Sequence, residues 1–278
     1  MITIGKDKLV TMNIQYKYWP LKKFLDDTVA CGVQNIELWG AAPHFHPEDM
    51  TYADIQKVRR EIEARNLNLV CYTPEQCVYP INMAAETEPE RRRSLKFFED
   101  SIRVAGELHC PKMLVTTGWG YFDDSNKEEA WEHAREGIYD LCELGLEHGV
   151  KIALEVLRTD ESNLVNNLPS LCKMLKELNH KNVGGMIDNA PMGFAGETPK
   201  DYLDALGKDL IHVHFIDGTP GGHLAWGDGN LPAEQYLEEL SAGGYENYLS
   251  LEITSGQYYM DPTASVKQSV DYLFKLLK

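Results

Sequence analysis

Eight short runs of β-branched and aliphatic residues recur along the chain, and helical patterns fill the intervals between them. The runs are LVTMNI (9–14), QNIELW (34–39), LNLVCYT (67–73), KMLVTT (112–117), KIALEV (151–156), VGGMID (183–188), LIHVHFI (210–216) and NYLSLEI (247–253). Their hydrophobicity is continuous rather than alternating, which is the pattern of parallel strands buried on both faces. The helical intervals carry apolar stripes. Val266, Val270, Leu273 and Leu277 fall at helical spacing, as do Leu168, Leu171, Leu175 and Leu178. Strand and helix alternating eight times predict an α/β chain folded as a single (β/α)8 TIM barrel, one domain over residues 1–278. A doubly wound open sheet is the alternative. No G-x-G-x-x-G turn follows the first run, which argues against a dinucleotide site.

Four of the runs carry, at or within two residues of their C-terminal end, a residue with chemistry: Glu155, Asp188, His214 and Glu252. They lie 33, 26 and 38 residues apart, about one strand–helix unit each. In such a barrel these ends meet at the C-terminal mouth, where catalytic groups sit. Residues two apart on a strand share a face. Glu155 therefore sides with Ala153, Asp188 with Met186, His214 with His212 and Glu252 with Ser250. Bulky Ile152, Leu154, Ile187, Val213, Leu249 and Leu251 take the other face, so all four polar ends are expected to point to the barrel axis. Three carboxylates and one imidazole at one point call for a cation between them. Oxygen-rich ligation with one histidine suits one divalent ion: Mn²⁺ first, with Mg²⁺ and Co²⁺ as alternatives. Such an ion can polarise a carbonyl and stabilise an enediolate. Two facing glutamates then move a proton off and back onto the neighbouring carbon, with no organic cofactor. Glu37 at the end of the second run is a further inward candidate by parity with Asn35, and His212 lies deeper than His214 as filling or support.

The irregular stretches 40–50, 74–88, 118–126, 189–198 and 217–231 all follow strands, whereas the turns before strands are tight. This asymmetry also places the chemistry at the C-terminal mouth. A formal net charge of −16 opposes binding to nucleic acid or to an anionic bilayer. The N-terminus lacks a signal-peptide pattern and no apolar run is long enough to span a membrane, so a cytoplasmic location is expected. The six cysteines, Cys31, Cys71, Cys77, Cys110, Cys142 and Cys172, are scattered without a C-x-x-C pair and read as free thiols.

The segments IELWGAAPH (36–44), CYTPEQCVYPINM (71–83), RRRSL (91–95), ALEVLRTDESN (153–163), MIDNAP (186–191), HVHFID (212–217), WGDGNLP (226–232) and YLSLEI (248–253) resemble the xylose-isomerase-like barrel superfamily of sugar isomerases and epimerases. Within it the chain is most similar to the ketose 3-epimerases, those acting on fructoselysine above all. The resemblance covers nearly the full length. It implies that Glu155, Asp188, His214 and Glu252 hold the metal. It also implies that Glu155 and Glu252 form the acid/base pair at C3, and that Glu161 contacts the substrate near its terminal hydroxyl. His44 and Glu75 fall in loops that resemble those contacting the sugar or its amino-acid appendage. Two positions depart from the free-ketose epimerases: Pro191 stands where they carry a histidine and Pro220 where they carry an arginine. His223 is the candidate to supply the missing donor. Trp39, Trp119 and Trp226 near the strand ends are candidates for shielding the site from water. The implied partner is a small-molecule sugar, and the resemblance implies a homo-oligomer.

Aldose–ketose isomerase, hydroxypyruvate isomerase and inosose dehydratase are alternatives on the same barrel. An apurinic-site endonuclease is remote, because Pro191 replaces one of its metal-binding histidines and the charge opposes DNA. A non-catalytic sugar-binding barrel is disfavoured because both glutamates are present.

Overall fold

A computed structural model describes residues 1–76 and 81–278. Eight parallel strands close into a barrel in chain order, each paired with its sequence neighbour and the first with the last. They are β1 (Leu9–Met12), β2 (Asn35–Gly40), β3 (Asn68–Pro74), β4 (Lys112–Val115), β5 (Lys151–Leu154), β6 (Val183–Asp188), β7 (Leu210–His214) and β8 (Leu249–Leu251). All eight expected strands are present. Five of them (β1, β4, β5, β7 and β8) stop two residues short of the apolar runs that signalled them, because the chain turns into a loop before the hydrophobic pattern ends. Glu155 and Glu252 thus sit one residue past the last ladder residue of β5 and β8. The closed barrel replaces the alternative of an open sheet.

Helices α1 (Leu21–Ala30), α2 (Tyr52–Glu63), α3 (Glu88–Glu107), α4 (Lys127–His148), α5 (Leu168–Leu178), α6 (Asn189–Ala195), α7 (Pro199–Leu206), α8 (Ala233–Ala242) and α9 (Pro262–Leu273) fill the intervals. The stripe on α9 behaves as its spacing requires, with Val266, Val270 and Leu273 buried and Leu277 buried just beyond. On α5, Leu171 and Leu178 are buried while Leu168 and Leu175 flank the core half-covered. The stretch 189–198 is not irregular throughout. Asp188 caps α6 by accepting from Ala190 N at 2.8 Å, and Gly196 ends it in the left-handed region at φ 70°. Pro191 and two glycines hide this helix in the sequence, although proline is tolerated in a first turn.

Turns entering the strands are short. Gly149, at φ 70°, closes α4 directly ahead of β5, and Asn182 donates to both Cys142 O and Val150 O across that junction. The main core includes the outward-facing aliphatics Ile152, Leu154, Ile187, Val213, Leu249 and Leu251. A smaller cluster of Val10, Cys71, Leu114, Ala153 and Met186 lies on the inward parity. Register sets Asp188 beside His214 and His214 beside Ser250, so the polar ends stand at one level of the mouth. Cys71, Cys110 and Cys142 are buried free thiols, while Cys31 and Cys172 are half-buried free thiols; Cys77 lies outside the described residues. No helix among the described residues is long and apolar enough to cross a membrane.

Ile152 is fully buried in the main core. Replacing it by alanine is expected to lower the unfolding free energy by about 2–5 kcal/mol. Urea denaturation followed by circular dichroism checks this, and an unchanged midpoint would contradict the packing described.

Candidate active site and metal centre

Barrel closure brings Glu155, Asp188, His214 and Glu252 together, with one candidate ligand atom from each lying within 4.8 Å of all the others. His214 is the hub. Its Nδ1 lies 3.2 Å from Glu155 Oε1 and 3.0 Å from Glu252 Oε2, while Nε2 faces Glu37 Oε1 at 3.1 Å. Glu155 Oε1 and His214 Nδ1 are both buried, yet neither makes a hydrogen bond among the described residues. Two orphaned donor atoms within a group of carboxylates are what a divalent cation would satisfy. Oxygen atoms with one imidazole nitrogen fit Mn²⁺, Mg²⁺ or Co²⁺; none of the described cysteines joins the group.

The two glutamates differ in electrostatic setting. Burial pushes the Glu155 carboxyl well above the usual carboxylate range, and the charges of Glu252 and Asp188 add to this against the pull of His214. Burial also works to raise Glu252, but His214 and His223 outweigh it and hold that carboxyl below its ordinary value. Burial disfavours the charged ring of His214, yet Glu252 and Glu37 hold it protonated well above the usual imidazole range. These tendencies belong to the metal-free site; a divalent ion between the carboxyls would favour the charged form of both.

A cavity of about 300 Å³ opens over this group, and Trp39, Glu75, Glu161, Pro191 and His223 line it together with Glu155, Asp188 and Glu252. His223 reaches in from the loop after β7 in a left-handed backbone conformation, φ 43°. Its Nε2 sits 2.8 Å from Asp188 Oδ2 and 3.3 Å from Glu252 Oε2. Glu161 accepts from Arg158 N at 3.0 Å and pairs with the Arg158 guanidinium at 3.2 Å. Glu75 accepts from Trp39 Nε1 at 3.0 Å.

His44 does not join them. Its Nε2 is 2.6 Å from Trp19 O and its Nδ1 is 2.9 Å from Asn13 Nδ2, so both nitrogens are spent on tying the loops after β1 and β2 together. It does not line this cavity, where the resemblance led to the expectation of a sugar contact. Of the three tryptophans singled out, Trp39 lines the cavity. Trp226 is core, donating to Phe215 O at 2.9 Å and stacking on Tyr272, and Trp119 lines a separate surface cleft.

Inward parity pointed to Glu37, and the structure supplies its partners. Thr73 Oγ1 donates to its Oε1, and His212 Nε2 lies 2.8 Å from its Oε2. Lys112 escaped sequence reading. It shares parity with Leu114, is buried, and donates to Ile211 O. A charged first residue of a strand reads as a solvated end, and nothing local reveals that the barrel encloses it.

The sequence profile of the xylose isomerase-like TIM barrel family matches residues 25–276, so the chain belongs to that family. Fructoselysine 3-epimerase of Shigella flexneri is 28% identical over 261 residues, covering 93% of this chain and 94% of that protein. Among solved structures, D-psicose 3-epimerase from Clostridium cellulolyticum H10, crystallised with D-tagatose, superposes with a TM-score of 0.82 at 16% identity, covering 98% of this chain and 99% of the other. A 3-keto-D-glucoside 4-epimerase from E. coli gives a TM-score of 0.81 at 19% identity over 96% and 98% of the two chains. These relatives and neighbours are epimerases of sugars, in keeping with the isomerase-type enzyme expected from the sequence.

The loop that carries His223 is organised by one buried carboxylate. Asp217 accepts backbone N–H groups from Gly218, Gly227, Gly229 and Leu231 at 2.8–3.1 Å. Gly229 packs so closely that a Cβ there would stand 2.4 Å from Asp217 Oδ1. Asp217→Ala strips these four donors of their acceptor. It is expected to cost about 1–3 kcal/mol of stability. Hydrogen exchange of the four amides should also accelerate while those of β6 stay protected. Unchanged protection at 218–231 would contradict this role.

Proposed function

We propose that this protein is a divalent-metal-dependent ketose 3-epimerase, with fructoselysine-type ketoses as its foremost substrate class. The observation that carries the reading is the approach of Glu155 and Glu252 to a shared His214 Nδ1 beneath a sugar-sized cavity. Glu155, Asp188, His214 and Glu252 would hold the ion, whose chemistry is Lewis-acid polarisation of the substrate carbonyl and acidification of the adjacent C–H. One glutamate takes the C3 proton and the other returns a proton to the opposite face, which inverts that carbon. They come from strands β5 and β8, with β6 and β7 between them, so they approach the sugar from separate sides of the mouth. Trp39 forms an apolar wall of the cavity and limits water at the reacting carbon.

The substrate class rests on two supports. The Shigella flexneri relative acts on fructoselysine by its name and matches over most of both chains. Pro191 also lines the cavity, at a position where the resemblance to free-ketose epimerases implies a histidine. In this reading His223, Glu161 and Glu75 contact the sugar and its appendage, and His44 stays in its structural role.

Incubation in deuterated buffer with fructoselysine and a ketohexose panel is expected to place deuterium at C3 and to yield the C3 epimer. Exchange confined to another carbon would replace the assignment by an isomerase or dehydratase of the same family. Glu155→Gln and Glu252→Gln are each expected to lower turnover by about 10²–10⁴-fold. Wild-type turnover in either variant would remove the two-glutamate mechanism. Dialysis against a chelator should abolish C3 exchange and added Mn²⁺ should restore it; exchange that survives chelation would exclude metal dependence.

A further inference from the structure

We propose that Glu37 is the positioning residue of the metal centre: it holds the Nε2–H of His214 and so presents Nδ1 as a bare lone pair to the ion. This rests on the reading above that Glu155, Asp188, His214 and Glu252 take a divalent cation. Glu37 is fully buried on β2, on the side of His214 away from the cavity, and is not part of the cavity lining. Three side chains converge on its carboxylate: Thr73 Oγ1 and His214 Nε2 on Oε1, and His212 Nε2 on Oε2.

The proton positions follow from these contacts. An ionised carboxylate offers only lone pairs, so each imidazole nitrogen facing it must carry hydrogen. His212 Nδ1 is buried and has no hydrogen-bond partner among the described residues, which is consistent with a neutral ring protonated at Nε2. Three converging partners, two ring nitrogens and one hydroxyl, are the setting of a carboxylate that only accepts. For His214 in the neutral form, a proton on Nδ1 would aim at the ion's position and leave Nε2 lone pair against Glu37 lone pair. A proton on Nε2 satisfies Glu37 and frees Nδ1. Lys112 is also buried and donates to Ile211 O.

Glu37, His212 and His214 also lie close enough together to suggest a second ion among themselves. Both Nε2 atoms, however, already stand at hydrogen-bond distance from Glu37, 2.8 and 3.1 Å. An ion there would have to displace both protons and the Thr73 bond. The same experiment separates the two arrangements.

Mn²⁺ titration of the metal-free full-length protein, followed by electron paramagnetic resonance, is expected to give one site per chain. Glu37→Gln should bind Mn²⁺ roughly 10–100-fold more weakly. In wild-type protein labelled with ¹⁵N-histidine and loaded with Zn²⁺ as a diamagnetic probe, His214 should show a protonated Nε2 and a metal-bound Nδ1. Glu37→Gln should shift the Nε2–H resonance, because an amide oxygen accepts this proton more weakly than a carboxylate; a packing role alone would leave it unchanged. Unchanged Mn²⁺ affinity in Glu37→Gln, ligation through Nε2, or two ions per chain would each overturn the proposal. If Glu37→Gln does not fold, Glu37→Asp, which keeps the carboxylate but shortens its reach, carries the same affinity and spectral comparison. Metal binding with this signature but no C3 exchange would leave the inference standing and sink the proposed reaction; the converse would do the opposite.

Discussion

Repulsion between carboxylates governs the mouth of this barrel. Closure of eight strands obliges β5, β6 and β8 to deliver Glu155, Asp188 and Glu252 to one place. Two like charges about 4 Å apart at an effective dielectric of about 20 repel by roughly 4 kcal/mol. Around them the chain assembles its available positive groups. His214 stands between two of the acids, and His223 bridges Asp188 and Glu252 from above. Much of the surrounding architecture holds those two rings in place. Glu37 and Thr73 support one, and the Asp217-bound loop carries the other.

The same crowding separates the two glutamates chemically. Burial favours the neutral form of Glu155, with the shared His214 pulling against it. Glu252 receives both histidines and favours its anion. One residue type at two strand ends thus acquires two tendencies from its neighbours alone. A site built this way is a concentration of unfavourable charge in an otherwise well-packed barrel, which is the usual relation between an active site and its scaffold. The scaffold can carry it because the outward faces of the strands are dense in fully buried aliphatics.

Strand parity was the most informative local signal. Isoleucine and leucine at alternate positions of β5 and β8 identify the helix-facing side, and that leaves Glu155 and Glu252 only the axis. The same rule pointed Glu37 inward. Parity says nothing of His44, because the loop after β2 has no fixed period: whether a loop histidine meets a cavity or a neighbouring carbonyl is set by a contact with Trp19 that lies 25 residues away. Lys112 gave no signal because a lysine at a strand start is ordinarily solvated. The helix α6 was hidden because proline and glycine read as a loop, although Asp188 caps it.

What the sequence determined by itself is the order and direction of the strands, the faces they bury and the residues that end them. These depend on local periodicity and on which side chains can leave water. Tertiary structure alone decided which of those ends meet, which nitrogen of His214 looks at Glu37, and which loop residues reach the cavity. Those are distances between atoms far apart in the chain, and they exist only once the barrel has closed.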